Sequence, residues 1–403
     1  MEAEAGGTRM TKICFLLSKD PVLEHGGDVE LSRLLISVAA ESFDVSAICL
    51  SAESGSVVAD FVPGGLSLTR VAKPAVRPLT LAVNALRRRR SLVHVRFDSD
   101  ALVAAIERSD ADTFVAEHSY MAESFLRSTS FGKRALIVNT HVSEALVWGA
   151  TRGLLGRVEA ARLVRDELRV ALAADAVGTF DAEEAADYRA RGVASARWLG
   201  LTLPPGDQVD VAASGPRLVL MGTRDWPPNQ EAYLRALALW PAISAGIPGA
   251  ELCVIGAKKS GAPEPSLPDG VRDLGFVDDL HAFLGSCRAM IAPIVTGGGV
   301  RVKILDAARI GLPVVGTSVA VGSLGQVFEL PVFDGDDAFV AECRRLLTDR
   351  DAAVTAGRAI FQANSEYWQE GRVRKPVDLL IRGQLPDSHP RDSGSRDSRH
   401  TNS

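Results

Sequence analysis

The sequence predicts an α/β chain of two doubly wound halves, each a mostly parallel sheet with helices on its faces. Three observations predict it. Short apolar runs alternate with stretches whose apolar residues recur at helical spacing, the pattern of repeated strand–helix–strand units. The alternation breaks once, in LTLPPGDQVDVAASGP at Leu201–Pro216, where Pro, Gly and small residues take over, and then restarts. Finally, 403 residues of which 46% are hydrophobic suffice for two or three domains that each bury a core.

In the first half, Lys12–Ser18 (KICFLLS) reads as a buried strand. After a glycine turn, Val29–Ala40 has apolar residues at helical spacing. Val45–Leu50, Leu66–Val71, Thr113–Glu117, Arg134–Asn139 and Ala176–Gly178 are further strands, with helices over Ser99–Arg108 and Arg157–Ala174. In the second half, strands are predicted at Arg217–Met221, Glu251–Ile255, Ala289–Ala292 and Pro313–Gly316. Helices are predicted at Asn229–Leu239, Asp279–Gly285, Arg301–Arg309, Asp336–Leu347 and Asp351–Trp368. The expected division is an N-terminal domain over 1–203, a linker over 204–216, a C-terminal domain over 217–382 and a tail over 383–403. From Pro386 the tail has no apolar residue and is expected to be disordered. Two such halves joined by one linker bind their ligand in the cleft between them.

Composition excludes several classes. The net charge of −5, from 45 basic and 50 acidic residues, gives no footing for a nucleic-acid binder. No apolar run approaches the ~20 residues that span a bilayer. Met1–Arg9 carries two Glu and no apolar core, so it is not read as a signal peptide. Cys14, Cys49, Cys253, Cys287 and Cys343 are scattered through apolar runs. They read as core residues in a reducing cytoplasm, and no CxxC pair announces a structural zinc.

The most informative stretch is Ala292–Thr317, APIVTGGGVRVKILDAARIGLPVVGT. It reads as a strand, a three-glycine loop, a helix and a strand. Gly297, Gly298 and Gly299 let the backbone approach a ligand, and a helix beginning near Val300 points its unpaired amides at the same place. That is an anion site suited to phosphate or pyrophosphate. Arg301 and Lys303 add positive charge, and Asp306, two turns on, is placed to accept from ribose hydroxyls. A tight strand-to-helix turn is the plain alternative, but three consecutive glycines are entropically costly and two cations follow at once. Lys303 and Asp306, at i,i+3, also read as a solvated ion pair. Arg301 and Lys303 point to opposite sides of a regular helix; Arg301 is expected at the phosphates, with Lys303 second.

The string GGGVRVKILDAARIGLPVVGT resembles the donor-binding segment of family 4 retaining glycosyltransferases, which have the GT-B fold. LMGTRDWPPN at Leu220–Asn229 resembles the segment that opens the family's C-terminal domain. GFVDDL at Gly275–Leu280 resembles the loop that meets the nucleotide base, and Gly26–Gly27 the glycine pair near the donor phosphates. The resemblance runs from Lys12 to Trp368 and is densest from Gly222 to Thr317. It implies two Rossmann-like domains facing each other across a cleft, with a return helix over Ala352–Trp368. It places the donor on Gly26, Gly27, Gly222, Thr223, Arg224, Phe276, Val277, Gly297, Gly298, Gly299, Val300 and Asp306. His118, Arg301 and Lys303 take catalytic roles, and Glu117 and His141 stand on the acceptor side. Both histidines end strands, where open α/β sheets place ligand contacts. Trp226 and Asn229 are read as shaping the cleft.

The sequence departs from the family in two places. Of the two family carboxylates eight positions apart, the second falls on Asp306 and the first on Gly298, so one is missing; a subgroup with GGG-x-R-x-K shows the same loss. The family's Arg and Lys after the first C-terminal strand fall on Thr223 and Pro228, so Arg224, Arg301 and Lys303 are expected to supply the charge.

The function implied is transfer of a sugar from a nucleotide-diphosphate sugar to a hydroxyl on a glycan, glycolipid or secondary metabolite, with retention. The departing diphosphate would be neutralised by backbone amides, the helix terminus, Arg301 and Lys303, with no cofactor and no metal. Two other classes stay open: a nucleotide-sugar epimerase of GT-B-like fold, and a catalytically silent GT-B protein that activates a partner. A NAD-dependent dehydrogenase is disfavoured because SKDPVLEHGGD lacks GxGxxG. Lys73–Arg96 holds seven Lys/Arg, including Arg87–Arg90, and no acid. It reads either as a solvated helix end or as an electrostatic contact with an anionic membrane or phosphorylated lipid acceptor. RNA ranks third, since stacking aromatics are absent nearby. The expected location is cytoplasmic, with peripheral contact on the inner face of the membrane.

Overall fold

Two sheets organise the chain. In the computed structural model the described residues are 10–140, 148–149, 153–258, 261, 265–297 and 301–383. The first sheet contains β1 (Lys12–Leu17), β2 (Asp44–Ser51), β3 (Gly55–Ala59), β4 (Leu66–Ala72), β5 (Thr113–Glu117), β6 (Ala135–Thr140), β7 (Ala176–Thr179) and β8 (Ala196–Trp198). Their order is β3-β4-β2-β1-β5-β6-β7-β8, parallel except for the β3/β4 pair. The second contains β9 (Arg217–Met221), β10 (Glu251–Ile255), β11 (Val271–Gly275), β12 (Ala289–Ala292) and β13 (Val314–Gly316), in the order β11-β10-β9-β12-β13, all parallel. The central strands are near-continuous apolar runs, as strands covered by helices on both faces must be. KICFLL in β1 and AMIA in β12 are almost wholly buried.

The strand order reverses at β1, which pairs with β2 on one side and β5 on the other, and at β9, which pairs with β10 and β12. The loops after these strands therefore open the two crevices where such sheets bind ligands. Three strands escape the sequence reading. β3 and β11 are edge strands whose outward residues stay polar or exposed, and β8 has only three residues.

Helices cover the first sheet: α1 (Gly27–Ala40), α2 (Pro78–Arg88), α3 (Leu92–Phe97), α4 (Asp100–Arg108), α5 (Ala122–Arg127), α6 (Gly153–Ala173) and α7 (Ala182–Ala190). The second carries α8 (Pro227–Ser244), α9 (Leu280–Gly285), α10 (Val302–Ile310), α11 (Ser318–Val321), α12 (Gly325–Phe328), α13 (Asp336–Thr348), α14 (Arg350–Gln369) and α15 (Arg374–Ile381). Ser99, predicted as the first residue of a helix, is instead the N-cap of α4, its hydroxyl accepting from the Leu102 amide.

Residues 201–216 are laid against the second sheet's helices. Leu201, Leu203, Val209 and Val211 are buried there. The Gly206 amide donates to Arg309 O and the Val209 amide to Ile310 O, which satisfies backbone that would otherwise be buried unpaired. The return crossing differs from the expectation. α14, over the stretch predicted to cross, packs on α10, α12 and α13 and buries Ala353, Gly357 and Ile360 in its own domain. After the Gly371 turn (φ 68) it is α15 that reaches the N-terminal sheet, on α1 and β7. Its eight residues bury Val377, Leu380 and Ile381, enough apolar surface to dock the helix. All five cysteines are buried and free, as expected. Among the described residues no helix is long and apolar enough to cross a membrane.

Candidate functional site

The site begins where two helix N-termini meet. After β1 the chain turns through Gly26, at φ 142, a value that L side chains rarely adopt, and enters α1 at Gly27. Gly27 lies against Val302, the first residue of α10, so closely that a Cβ on it would come within 2.9 Å of Val302 Cγ2. The opening amides of both helices, ahead of Glu30 and Ile304, have no intrahelical acceptor, and both dipoles favour negative charge at this spot. Lys19 reaches the same turn, with Nζ 2.8 Å from Asp28. Gly297, at φ 125, ends the described part of the glycine loop and lies against Pro228. Gly298, Gly299, Val300 and His141 lie outside the described residues.

Arg301 and Lys303 diverge, as their spacing requires. Arg301 donates to Val319 O through Nε and Nη2 and meets Asp181 across the domain interface at 3.4 Å. Its guanidinium lies against Gly322, where a Cβ would clash. The Ser323 hydroxyl accepts from the Ala182 amide at 2.8 Å, a second bond across the same interface. Lys303 instead runs inward and donates to Asn229 Oδ1 at 2.8 Å. Burial pulls its ammonium down to about 8. No carboxylate pairs with Lys303 among the described residues, so the alternative reading of an ion pair with Asp306 is not what the structure shows. Asn229 in turn donates to Thr223 O and packs over Gly222, where a Cβ would meet the amide at 2.7 Å. Gly222 (φ 145) is therefore fixed as glycine twice over, by conformation and by space. Thr223 itself is exposed.

Arg224 corrects the reading of the charge supply. It is buried, and both terminal nitrogens bond Asp273, at 2.7 and 2.9 Å, above the Tyr233 ring. A desolvated guanidinium requires such a partner, and the ion pair commits its terminal nitrogens to Asp273. Asp306, on the face of α10 four residues after Val302, carries no hydrogen bond or ion pair among the described residues. Burial raises its carboxyl to about 6, with Glu30 of α1 adding to the rise and Arg309 opposing it. Phe276, after β11, is 87% exposed, while Val277 packs on the core.

On the N-terminal side, Glu117 is buried and accepts from Asn139 Nδ2 at 2.7 Å, a cross-strand bond between β5 and β6. His118 sits at φ 82 and ψ 141, a strained conformation for a residue with a side chain. Its amide donates to Asn139 O at 2.8 Å, and its ring stacks on Tyr120, which stacks on Phe97. A small crevice joins His118 and Glu117 to Ser18, Lys19 and Asp28, at the switch point between β1 and β5. Two acids escaped the sequence reading. Asp181 caps α7, and Glu184 in its first turn is raised to about 7, mainly by burial, with a hydrogen bond to Thr140 and the Arg301 charge opposing. Their signal was present: TFDAEE follows β7, and strand ends in such sheets carry function.

These elements bring two helix termini together, with the half-buried Lys303 on one of them and the crevice at His118 and Glu117 beside the other. Residues 215–349 match the model of the family Glycosyl transferases group 1. The chain has the GT-B fold. The sucrose-phosphate synthase of Thermosynechococcus elongatus is similar at 16% identity and TM-score 0.66, over 92% of this chain and 98% of that one. Anabaena HepE in complex with UDP and glucose is similar at 13% identity and TM-score 0.61, over 92% and 99%. WaaG, a glycosyltransferase involved in lipopolysaccharide biosynthesis, is similar at 14% identity and TM-score 0.59, over 91% and 99%. No curated protein matches the chain in sequence.

Proposed function

We propose that the protein is a retaining glycosyltransferase that takes a nucleotide-diphosphate sugar at the C-terminal domain and passes the sugar to a hydroxyl acceptor held by the N-terminal domain. One observation carries the reading. Lys303 is a half-buried cation whose hydrogen bond is to the neutral Asn229, beside two converging helix N-termini. A cation this desolvated with no carboxylate beside it, at two helix N-termini, suits an anion from outside the chain. A departing nucleoside diphosphate is such an anion. As the bond from the anomeric carbon to the β-phosphate oxygen breaks, charge accumulates where Lys303 and the amides can stabilise it. The acceptor oxygen attacks the same face and its proton passes to the released phosphate oxygen; retention and this proton route rest on the family resemblance. The reading needs no metal, because the chain's own cation and helix termini supply the positive potential. Among acceptors it favours a glycan, a lipid-linked sugar or a small molecule, and the location it favours is cytoplasmic.

A silent GT-B protein is the second reading, favoured by the engagement of Arg301 with Val319 and Asp181. One series of measurements separates them. UDP-, GDP-, ADP- and dTDP-sugars are screened by thermal shift, UDP-sugars first because the HepE structure contains UDP and glucose. One donor should raise the melting temperature of the wild type and not that of Lys303→Met, and that donor should be hydrolysed or transferred. Binding without turnover across a broad acceptor panel selects the silent protein; no shift with any donor ends both readings.

A further inference from the structure

We infer that α2 is a docking element for the surface of an anionic lipid bilayer, lying along it with an apolar stripe toward the acyl chains and arginines at headgroup level. The inference goes beyond the donor site and does not depend on it.

The orientation of α2 is inverted relative to an ordinary surface helix. At 3.6 residues per turn, Leu79, Val83 and Leu86 fall within a sector about 60° wide. They are 85%, 61% and 64% exposed, and Val76, just before the helix, is exposed as well. The inward face offers only Ala85 as a fully buried residue. Isolated exposed leucines are ordinary, but a stripe of three on one helix face is not.

The charge around the stripe has one sign. No acidic residue occurs between Asp60 and Asp98. Of the seven cations in Lys73–Arg96, Lys73 is bound to Glu24, Arg88 to Asp98 and Arg90 to Asp166, while Arg96 lies over Phe97. Arg77, Arg87 and Arg89 are exposed and carry no ion pair among the described residues. They flank the stripe at both ends of the helix. A polypeptide partner would have to match an apolar strip bordered by cations at both ends; an anionic interface offers that pattern everywhere. The structure thus narrows the basic patch to three free arginines and adds an apolar contact that the charge count alone did not include. The docking face is also tied to the acceptor side: α3 packs on α2 and on Ser119–Met121, the turn that follows His118.

The test is co-sedimentation of the full chain with phosphatidylcholine vesicles, with and without phosphatidylglycerol, at low and moderate salt. The wild type should sediment with the anionic vesicles only. Arg87→Ser with Arg89→Ser should weaken binding about fivefold per arginine at low salt. Leu79→Ser with Val83→Ser and Leu86→Ser should lose binding at moderate salt, where screening leaves the apolar contact dominant. These side chains are exposed, and circular dichroism should show both variants folded. Absence of wild-type sedimentation, or sedimentation equal for all three proteins, overturns the inference. So does a wild type that is dimeric by light scattering, ignores vesicles and becomes monomeric in the triple variant, since the stripe is then a self-association face.

Discussion

Gly27 and Val302, from different domains, touch at the point where α1 and α10 begin, with room for no side chain on the glycine. The contact fixes how closely the two helix termini approach, and so the size of anion that both can reach. A methyl group on Gly27 would have to displace a branched side chain, and overpacking of this kind costs about 1–3 kcal/mol. Because the strain falls between domains, it should appear in donor binding more than in folding.

The first prediction follows from that contact. Gly27→Ala should weaken donor affinity about tenfold or more. Val302→Ala in the same chain should recover most of the loss, giving a coupling of about 1–3 kcal/mol in a double-mutant cycle. Calorimetric titration of the four proteins checks it. Additive effects would mean that the contact does not set the spacing of the termini.

The second concerns the two cations. Lys303→Met should cost about 1.5–3 kcal/mol of donor binding, because it removes a charged hydrogen-bond donor from the site. Without donor the same change should stabilise the protein. The sign follows from the depressed ammonium: a lysine held near 8 contributes stability above its unfolded value and loses it as pH falls through about 8, so at neutral pH the desolvated charge is unfavourable. Arg301→Ala should leave donor contacts largely intact and lower the melting temperature by releasing Val319 and Asp181. A larger loss of donor affinity from Arg301→Ala than from Lys303→Met would reverse the assignment.

The third separates packing from chemistry at Arg224. Removing one partner of a buried ion pair leaves the other uncompensated, at about 3–5 kcal/mol. Arg224→Ala should therefore lower the melting temperature sharply, while the fraction that stays folded binds donor as the wild type does. Weakened binding with unchanged stability would return Arg224 to the phosphate site.

Most of the framework was legible because periodicity reports burial. β1, β9, β10 and β12 are apolar on both faces, and no polar pattern competes with that reading. The glycine loop was legible because consecutive glycines and a helix start have few other uses. Side-chain assignments were less so. Two positions on one helix fix that Arg301 and Lys303 diverge, but not which of them meets the partner domain; that depends on Val319 and Asp181, distant in sequence. Arg224 looked available because Asp273, which neutralises it, lies on β11, an edge strand that periodicity does not reveal. The Lys73–Arg96 stretch concealed α2 because its apolar residues face outward, the opposite of what a helical pattern is taken to mean.

The last prediction uses the pH dependence of Asp306. Burial is the chief cause of its raised carboxyl, with Glu30 across the interface adding to it. An unfolded chain would lose this proton near 3.8, whereas the folded protein keeps it to about 6. Between those values the native state binds more protons, so the contribution is fully present below 3.8 and disappears as pH rises through about 6. At neutral pH this is a destabilisation of up to about 3 kcal/mol, as an order of magnitude. Asp306→Asn should flatten that segment of the melting-temperature profile and leave the apo protein as stable or more stable at neutral pH. Part of the decline should persist at higher pH, because Glu184 titrates near 7. Donor binding should move the other way. A carboxylate that accepts from ribose hydroxyls must be ionised, so wild-type affinity should rise with pH through about 6, and the Asn variant should bind more weakly with a flat profile. Melting curves and titrations across that range, with and without donor, read both effects together. If the variant instead matches the wild type in donor affinity at every pH, Asp306 is a half-buried interface acid alone, and the ribose falls to another residue.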